Sequence, residues 1–324
     1  MIMESRTDMT QTNLKKYLGV DIGGTAVKIG VVTSDGVARG IRSYNVFFDN
    51  YETPILTTVI KSIKQYLKDN NISEKELDGI GVSATGGIDT EKGIVAGAAG
   101  HIKNWVGSRI VYELEHEFRL HTSVLNDANA AALGELWVGA AHGKRNVIVV
   151  TVGTGVGGGI ISDGKILLGN HGFAGEIGHF PVQCKGEKCS CGNTGCLEHY
   201  ASTTALVKMV QRAVENKEIS FDNNEINGKT IFEQIENGNA KLEKVLEDWM
   251  DYLISGIVGL VHVFNPELVL IGGGVSAQEE LFIQKVREKV LERVMPDFSI
   301  DLDVRAAQLG NEAGLIGAVY FLGE

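Results

Sequence analysis

Short apolar runs open the chain at residues 17–22, 26–33 and 37–46, separated by glycine-containing turns such as Ser34-Asp35-Gly36. Runs of this length between turn residues predict consecutive β-hairpins, three antiparallel strands in all. Over residues 54–70 the apolar positions switch to helical spacing, with a proline near the start and Asn70-Asn71 at the end, which predicts a helix. Residues 77–83 read as a buried strand. Residues 108–118 and 127–138 read as helices, with a strand at 122–126 between them.

The pattern then starts again. An apolar strand from residue 146 leads into a glycine-rich turn, a second apolar strand and an Asp-Gly turn. Leu18-Gly-Val-Asp-Ile-Gly-Gly-Thr25 with Ser34-Asp-Gly36 is echoed by Val149-Val-Thr-Val-Gly-Thr-Gly155 with Ser162-Asp-Gly164. An echo about 130 residues apart is what a duplicated β-β-β-α-β-α unit leaves in a sequence. Residues 241–265 predict a long helix stopped by Pro266. A strand at 268–271 runs into Gly272-Gly273-Gly274, a helix is expected over 278–294, and a closing helix over 311–322.

At 324 residues the chain is long enough for two domains, which makes a cleft enzyme the natural frame. The division expected is a loose polar leader over 1–16, a small lobe of 17–126 plus 311–324, and a large lobe of 127–310. A formal charge of −11 argues against sequence-independent binding to nucleic acid or anionic lipid, which needs clustered Lys and Arg. No apolar run approaches the ~20 residues of a membrane span, and residues 1–16 lack the apolar core of a secretory signal. The expected location is therefore the cytoplasm, where thiols stay reduced. The four cysteines, all between Cys184 and Cys196, then read as metal ligands before disulfides. Forty-one glycines against four prolines point to many turns where backbone approaches a ligand.

Five motifs carry candidate chemistry. In Asp21-Ile22-Gly23-Gly24-Thr25 two glycines let backbone N–H groups approach a phosphate, Thr25 adds a hydroxyl, and Asp21 can hold Mg2+ directly or through water; a plain hairpin would also use the glycines. Thr151-Val-Gly153-Thr154-Gly155-Val-Gly-Gly158-Gly formally contains a dinucleotide fingerprint, but a strand and not a helix follows it. Gly159 to Lys165 nearly fits a Walker A loop, with Ile166 where the metal-binding hydroxyl must stand. What survives is a second phosphate-cradling hairpin. Asn126-Asp127-Ala-Asn129, at a strand-to-helix junction, suits a carboxylate that takes a proton during phosphoryl transfer, and suits a helix cap equally well. His179 with Cys189-Ser-Cys191-Gly-Asn-Thr-Gly-Cys196 offers a Cys₃His set for a closed, structural Zn2+ within segment 179–196, leaving Cys184 over. Glu176 and Glu198 flank that segment. Anchored there they could accept from sugar hydroxyls; singly, each reads as a solvated glutamate.

In this order, from residue 17 to the end, these motifs resemble the ROK family (repressors, open reading frames and kinases) within the sugar kinase, Hsp70 and actin superfamily. The resemblance implies an α/β, two-lobed, actin-like fold of duplicated ribonuclease H-like units with a structural zinc segment. It implies an ATP-dependent hexose kinase in which Asp127 is the general base at the sugar 6-hydroxyl. It also implies that Asn126, Glu176, His179 and Glu198 bind the sugar, and that His179, Cys189, Cys191 and Cys196 bind zinc. Gly23, Gly24 and Thr25, with Gly153, Thr154 and Gly155, would hold the ATP phosphates, and Gly272, Gly273 and Gly274 would lie near the adenosine. The sugar loop departs from the family at Thr85-Gly86-Gly87-Ile88-Asp89, where Pro-Gly is common, and at His101 before Trp105, where glucokinases carry Asn. Such changes alter donor geometry at a sugar hydroxyl and therefore bear on which hexose fits. Glucose is the first expectation, N-acetylmannosamine the second, fructose or another hexose the third. A homodimer is implied as well. The family's repressors carry a helix-turn-helix module, for which the sixteen or so residues before the first strand leave no room, so a kinase is expected ahead of a DNA-binding regulator.

Overall fold

The computed structural model describes residues 14–47, 49–97, 102–221 and 225–323. The chain divides into two compact units, Met1–Asp127 with Leu315–Glu324, and Ala128–Gly314.

In the first unit β1 (Lys16–Ile22), β2 (Ala26–Thr33) and β3 (Ala38–Asn45) form the expected antiparallel meander. α1 (Ile55–Asp69) buries Ile55, Val59, Ile63 and Tyr66, the stripe its spacing predicts. β4 (Ile80–Ala84) follows, then a small hairpin of β5 (Gly87–Asp89) and β6 (Ile94–Gly97) that the apolar pattern did not announce. α2 (Ile110–Phe118) leads to β7 (Thr122–Asn126), and the sheet order is β3-β2-β1-β4-β7 with β1, β4 and β7 parallel.

α3 (Asp127–Val138) leads into the second unit, where β8 (Val147–Val152), β9 (Val156–Ser162) and the two-residue β10 (Lys165–Ile166) repeat the antiparallel meander. α4 (Glu198–Ala201), α5 (Thr203–Glu215) and α6 (Gly228–Glu236) then precede α7 (Ala240–Phe264), which ends at Asn265 in the left-handed region just before Pro266. β11 (Leu268–Gly272), α8 (Gln284–Arg293), the short α9 (Pro296–Ser299) and β12 (Asp303–Ala306) complete a sheet of order β10-β9-β8-β11-β12. Strand for strand this is the order and sense of the first sheet, so the sequence echo does mark a structural duplication. The helix expected over 278–294 is interrupted: a 3-10 turn (Gly274–Ala277) and one π turn (Glu279–Ile283) precede α8.

Each unit has its own core. That of the first gathers Leu18, Val20, Ile63, Val82 and Trp105; that of the second gathers Val150, Leu246, Trp249, Ile257 and Phe282. The closing helix α10 (Ala313–Leu322) shows why β1 and β4 each carry an interior glycine. Gly19 and Gly81 are register partners on β1 and β4. A Cβ on Gly81 would stand 2.5 Å from the Ala318 backbone, and one on Gly19 would stand 2.6 Å from the Leu315 side chain. The paired glycines form a trough that lets the helix backbone lie directly on the sheet. Among the described residues no helix is long and apolar enough to cross a membrane.

Candidate active site and metal centre

In the first unit Asp21 stands one residue before the end of β1, register-paired with Lys28 on β2 and Ser83 on β4. Its Oδ1 accepts from the Ser83 hydroxyl at 2.8 Å and its Oδ2 faces the Lys28 ammonium at 3.3 Å. The carboxylate is thus held in one orientation by its neighbours. The turn that follows is closed by Gly23 N–H donating to Ala26 O at 2.9 Å and by the Tyr51 hydroxyl donating to Gly24 O at 2.8 Å. Neither Gly23 nor Gly24 has a left-handed φ, and a Cβ on Gly24 would meet only ordinary contacts. The fold itself does not demand that glycine, which is what close approach by a ligand would require. Asn126 ends β7 and donates from Nδ2 to Gly86 O at 3.0 Å, tying the strand end to the loop that carries Gly87. Gly87 is buried, and Asp127, the first residue of α3, is exposed. His101 lies outside the described residues.

In the second unit the segment Gly175-Glu176-Ile177-Gly178-His179 lies against β9. Gly175 has φ 98°, and a Cβ there would stand 2.7 Å from Gly158 O. A Cβ on Gly178 would collide with Val156 O. Both glycines let backbone meet backbone, while Ile177, 5% exposed, anchors the segment in the core. Asn129, buried in α3, donates to Ala174 O at 3.4 Å and so supports the turn from beneath. Glu176 and His179 are left partly open, three residues apart, with Glu176 Oε2 3.9 Å from His179 Nε2. Burial raises the Glu176 carboxyl above the ordinary carboxylate value; His179 opposes that shift and the nearby charge of Glu198 adds to it. Its side chain nevertheless keeps 44% exposure.

The other ring nitrogen of His179 faces the thiols. Nδ1 is 3.6 Å from Cys189 Sγ, Cys191 Sγ is 3.6 Å from Cys196 Sγ, and the ligand atoms of all four residues lie within 4.8 Å of one another. The edges of a tetrahedral zinc site should be about 3.8 Å between sulfurs and about 3.6 Å between sulfur and nitrogen. The donor set fits such an ion in number, chemistry and spacing. Without a cation, burial pushes the Cys196 thiol up to about 12, with Cys191 and Cys189 adding to the effect; a divalent ion at the centre would reverse this. The loop is shaped by Gly192 and Gly195, both at positive φ, and a Cβ on Gly195 would collide with Gln183 O. Cys184 is exposed and outside the cluster.

Glu198 follows Cys196 by two residues, and its Oε2 accepts from the Val156 N–H at 3.1 Å. A Cβ on Gly155 would collide with that same oxygen. The turn Gly153-Thr154-Gly155 therefore contains two different glycines. Gly155 is required by the protein, to admit Glu198. At Gly153, by contrast, a Cβ would meet nothing within 4 Å among the described residues. The triple glycine divides in the same way: Gly273 has φ 94° and a Cβ there would collide with Val152 O, whereas Gly274 meets nothing. Gly272 and Gly273 line a pocket of the second unit with Glu135, Val149, Thr151 and Ser276.

Sequence reading singled out neither the Lys28 and Ser83 partners of Asp21 nor the threonines that meet the second turn. Thr203 N–H donates to Gly153 O and the Thr204 hydroxyl to Thr154 O, both at 2.8 Å. A signal for Lys28 existed: a tight turn at Gly23-Gly24 makes Asp21 and Lys28 cross-strand partners. The threonines lie some fifty residues from their acceptors and left no such trace.

Two sheets of one strand order, each with a glycine turn in its first hairpin, define the duplicated architecture of the actin and sugar-kinase superfamily. Within it, the chain belongs to the ROK family, whose model matches residues 17–324. It is similar to a glucokinase of Halalkalibacterium halodurans, 35% identical over 93% of this chain and 93% of that protein. It is also similar to a xylose repressor of Caldicellulosiruptor bescii, 32% identical over 93% of this chain and 76% of that protein. Among solved structures, a ROK family glucokinase from Streptomyces griseus in complex with glucose and AMPPNP superposes with a TM-score of 0.77 at 32% identity, over 94% of this chain and 98% of that one.

Proposed function

We propose that the protein is an ATP-dependent hexose kinase that phosphorylates the 6-hydroxyl of glucose or a close relative. The observation that carries this reading is the second unit's arrangement of two carboxylates, Glu176 and Glu198, each fixed within three residues of a ligand of one thiol–imidazole cluster. Paired, oriented acceptors suit a polyol. The similarity to glucokinases supports the same conclusion.

In this reading Asn126, Gly87, Glu176, His179 and Glu198 bind the sugar, with His101 as a further contact. Gly23, Gly24 and Thr25, and Gly153, Thr154 and Gly155, hold the phosphates, while Gly272 to Gly274 border the adenosine. Asp127 accepts the proton of the sugar hydroxyl as its oxygen bonds to the γ-phosphorus; the bond from that phosphorus to the bridging oxygen breaks, and ADP leaves with the electron pair. Magnesium, when bound with the nucleotide, neutralises charge on the phosphate oxygens. Asp21 suits it through water, since Ser83 and Lys28 already engage both carboxylate oxygens. His179, Cys189, Cys191 and Cys196 would hold zinc, which with all four positions filled by protein would serve to fix the loop.

N-acetylmannosamine and fructose are the alternative acceptors. A sugar-responsive regulator is the alternative of another class, favoured by the similarity to xylose repressors. Release of ADP, measured against a panel of hexoses with zinc-loaded protein, separates them: the kinase reading requires hexose-dependent ADP, and a regulator gives none.

A further inference from the structure

The nine residues Cys196 to Thr204 make an unbroken line of contacts from the thiol cluster to the turn Gly153-Thr154-Gly155. Cys196 contributes its thiol to the cluster. Leu197, 1% exposed, fills the space left by Gly256 on α7, where a Cβ would stand 2.8 Å from it. Glu198 accepts from Val156 N–H just past the turn. Ser202 locks the next step: its carbonyl accepts from the buried Trp249 Nε1 at 2.9 Å, and its hydroxyl oxygen caps α5 by accepting from Ala205 N–H at 3.1 Å. Thr203 and Thr204 then take the carbonyl oxygens of Gly153 and Thr154, each at 2.8 Å.

Those last two bonds fix more than two oxygens. A trans peptide is planar, and its N–H points opposite to its C=O. Among the described residues no peptide is cis. The peptide plane holding Gly153 O also holds the Thr154 N–H, and the plane holding Thr154 O also holds the Gly155 N–H. With both carbonyls drawn toward the start of α5, both N–H groups must aim the other way, side by side. Adjacent N–H groups directed to one side form a concavity that binds an anion.

We propose that Thr203 and Thr204 are positioning residues that set these two peptide planes so that the Thr154 and Gly155 N–H groups receive a phosphate oxygen, and that the metal cluster stiffens this clamp through Cys196. The identity of the anion as the nucleotide's phosphate rests on the kinase reading above. The metal loop then serves the phosphate turn as well as the sugar carboxylates, and one stiff segment links the two.

The test uses zinc-loaded full-length protein with Thr204→Val, which keeps the side chain's shape and removes its donor, and Thr204→Ser, which restores the donor. Losing one such bond should raise the KM for ATP, and the Kd of a non-hydrolysable ATP analogue measured without sugar, about threefold to tenfold. The hexose KM should stay within twofold. Exchange of the Thr203 amide, which donates to Gly153 O, should speed up by a similar factor in the Val variant, return to wild type with Ser, and speed up again when zinc is stripped from the wild type. Unchanged exchange and unchanged nucleotide affinity in Thr204→Val would overturn the proposal. So would equal rises in both KM values that Ser does not restore, because that pattern marks a merely structural residue. If the wild type takes up no nucleotide at all, the kinase reading fails, and Thr203 exchange alone then judges the clamp.

Discussion

The two glycines of the second turn should behave in opposite ways when each is replaced by alanine. At Gly155 a methyl group collides with Glu198 Oε2, so the carboxylate must give up the Val156 N–H that it now accepts at 3.1 Å. Losing a hydrogen bond to a charged group costs about 1.5–3 kcal/mol, and reduced freedom of the unfolded chain returns about 0.4–1 kcal/mol. Gly155→Ala should therefore be less stable by about 0.5–2.6 kcal/mol. At Gly153 the methyl enters open space and φ is not left-handed, so only the gain of about 0.4–1 kcal/mol remains. For a unit of this size the melting temperature moves roughly 2–4 °C per kcal/mol. Thermal unfolding followed by circular dichroism should place Gly155→Ala about 1–10 °C below wild type and Gly153→Ala at or slightly above it. Function should divide in the opposite sense: Gly155→Ala raises the sugar KM by displacing Glu198, and Gly153→Ala raises chiefly the nucleotide KM. Equal melting temperatures for the two variants, with sugar affinity intact in Gly155→Ala, would refute the assignment of that glycine to Glu198.

Cys191→Ser should abolish stoichiometric zinc binding by metal analysis and raise the hexose KM at least about tenfold, because His179 and Cys196 would lose the shared ion proposed to fix Glu176 and Glu198; a full zinc complement with unchanged sugar affinity would count against it. Gly81→Ala should cost about 1–3 kcal/mol in chemical denaturation, since its Cβ meets the Ala318 backbone at 2.5 Å and α10 must shift. Glu267 accepts from the Arg145 and Asn146 N–H groups at 2.7 and 3.1 Å, and these bonds, with Lys144, hold its carboxyl below the usual value. Its contribution is therefore present above the ordinary glutamate range and is lost as pH falls through the lowered value. Glu267→Gln should cost about 1 kcal/mol at pH 7, allowing for solvent screening, and the difference should vanish in acid; a gap constant from pH 7 to pH 3 would argue against it.

The sheet meanders, the long α7 and the duplication were legible because each rests on local pattern: period-two runs, a helical stripe ended by Asn265-Pro266, and Asp-Gly turns repeated at matching places. The gathering of His179 with three cysteines was legible because the cysteines are close in sequence. The β5–β6 hairpin, β12 and α4 to α6 left weaker marks. β12 is four residues long and is held by pairing with β11, and α5 is set by a Ser202 cap whose partner Trp249 comes 47 residues later. Within the site, sequence reading assigned the glycines of the two hairpin turns to the phosphates and Gly272 to Gly274 to the adenosine, without separating the members of each group. Contacts divide them, because whether a glycine serves a ligand or a neighbouring side chain depends on what stands where its Cβ would be. Gly155 and Gly273 answer to Glu198 and Val152, whereas no described residue beyond the chain neighbours stands within 4 Å of where a Cβ on Gly153 or Gly274 would be.

Hexose-dependent ADP release by wild type and by Asp127→Asn, run side by side with glucose, decides whether Asp127 is the general base of a hexose kinase. Turnover in the wild type should require the sugar, and should fall by roughly 10²-fold or more in the variant with glucose binding retained. Near-normal turnover in Asp127→Asn would contradict the assignment of the base, and no sugar-dependent ADP from the wild type with any hexose would contradict the kinase itself.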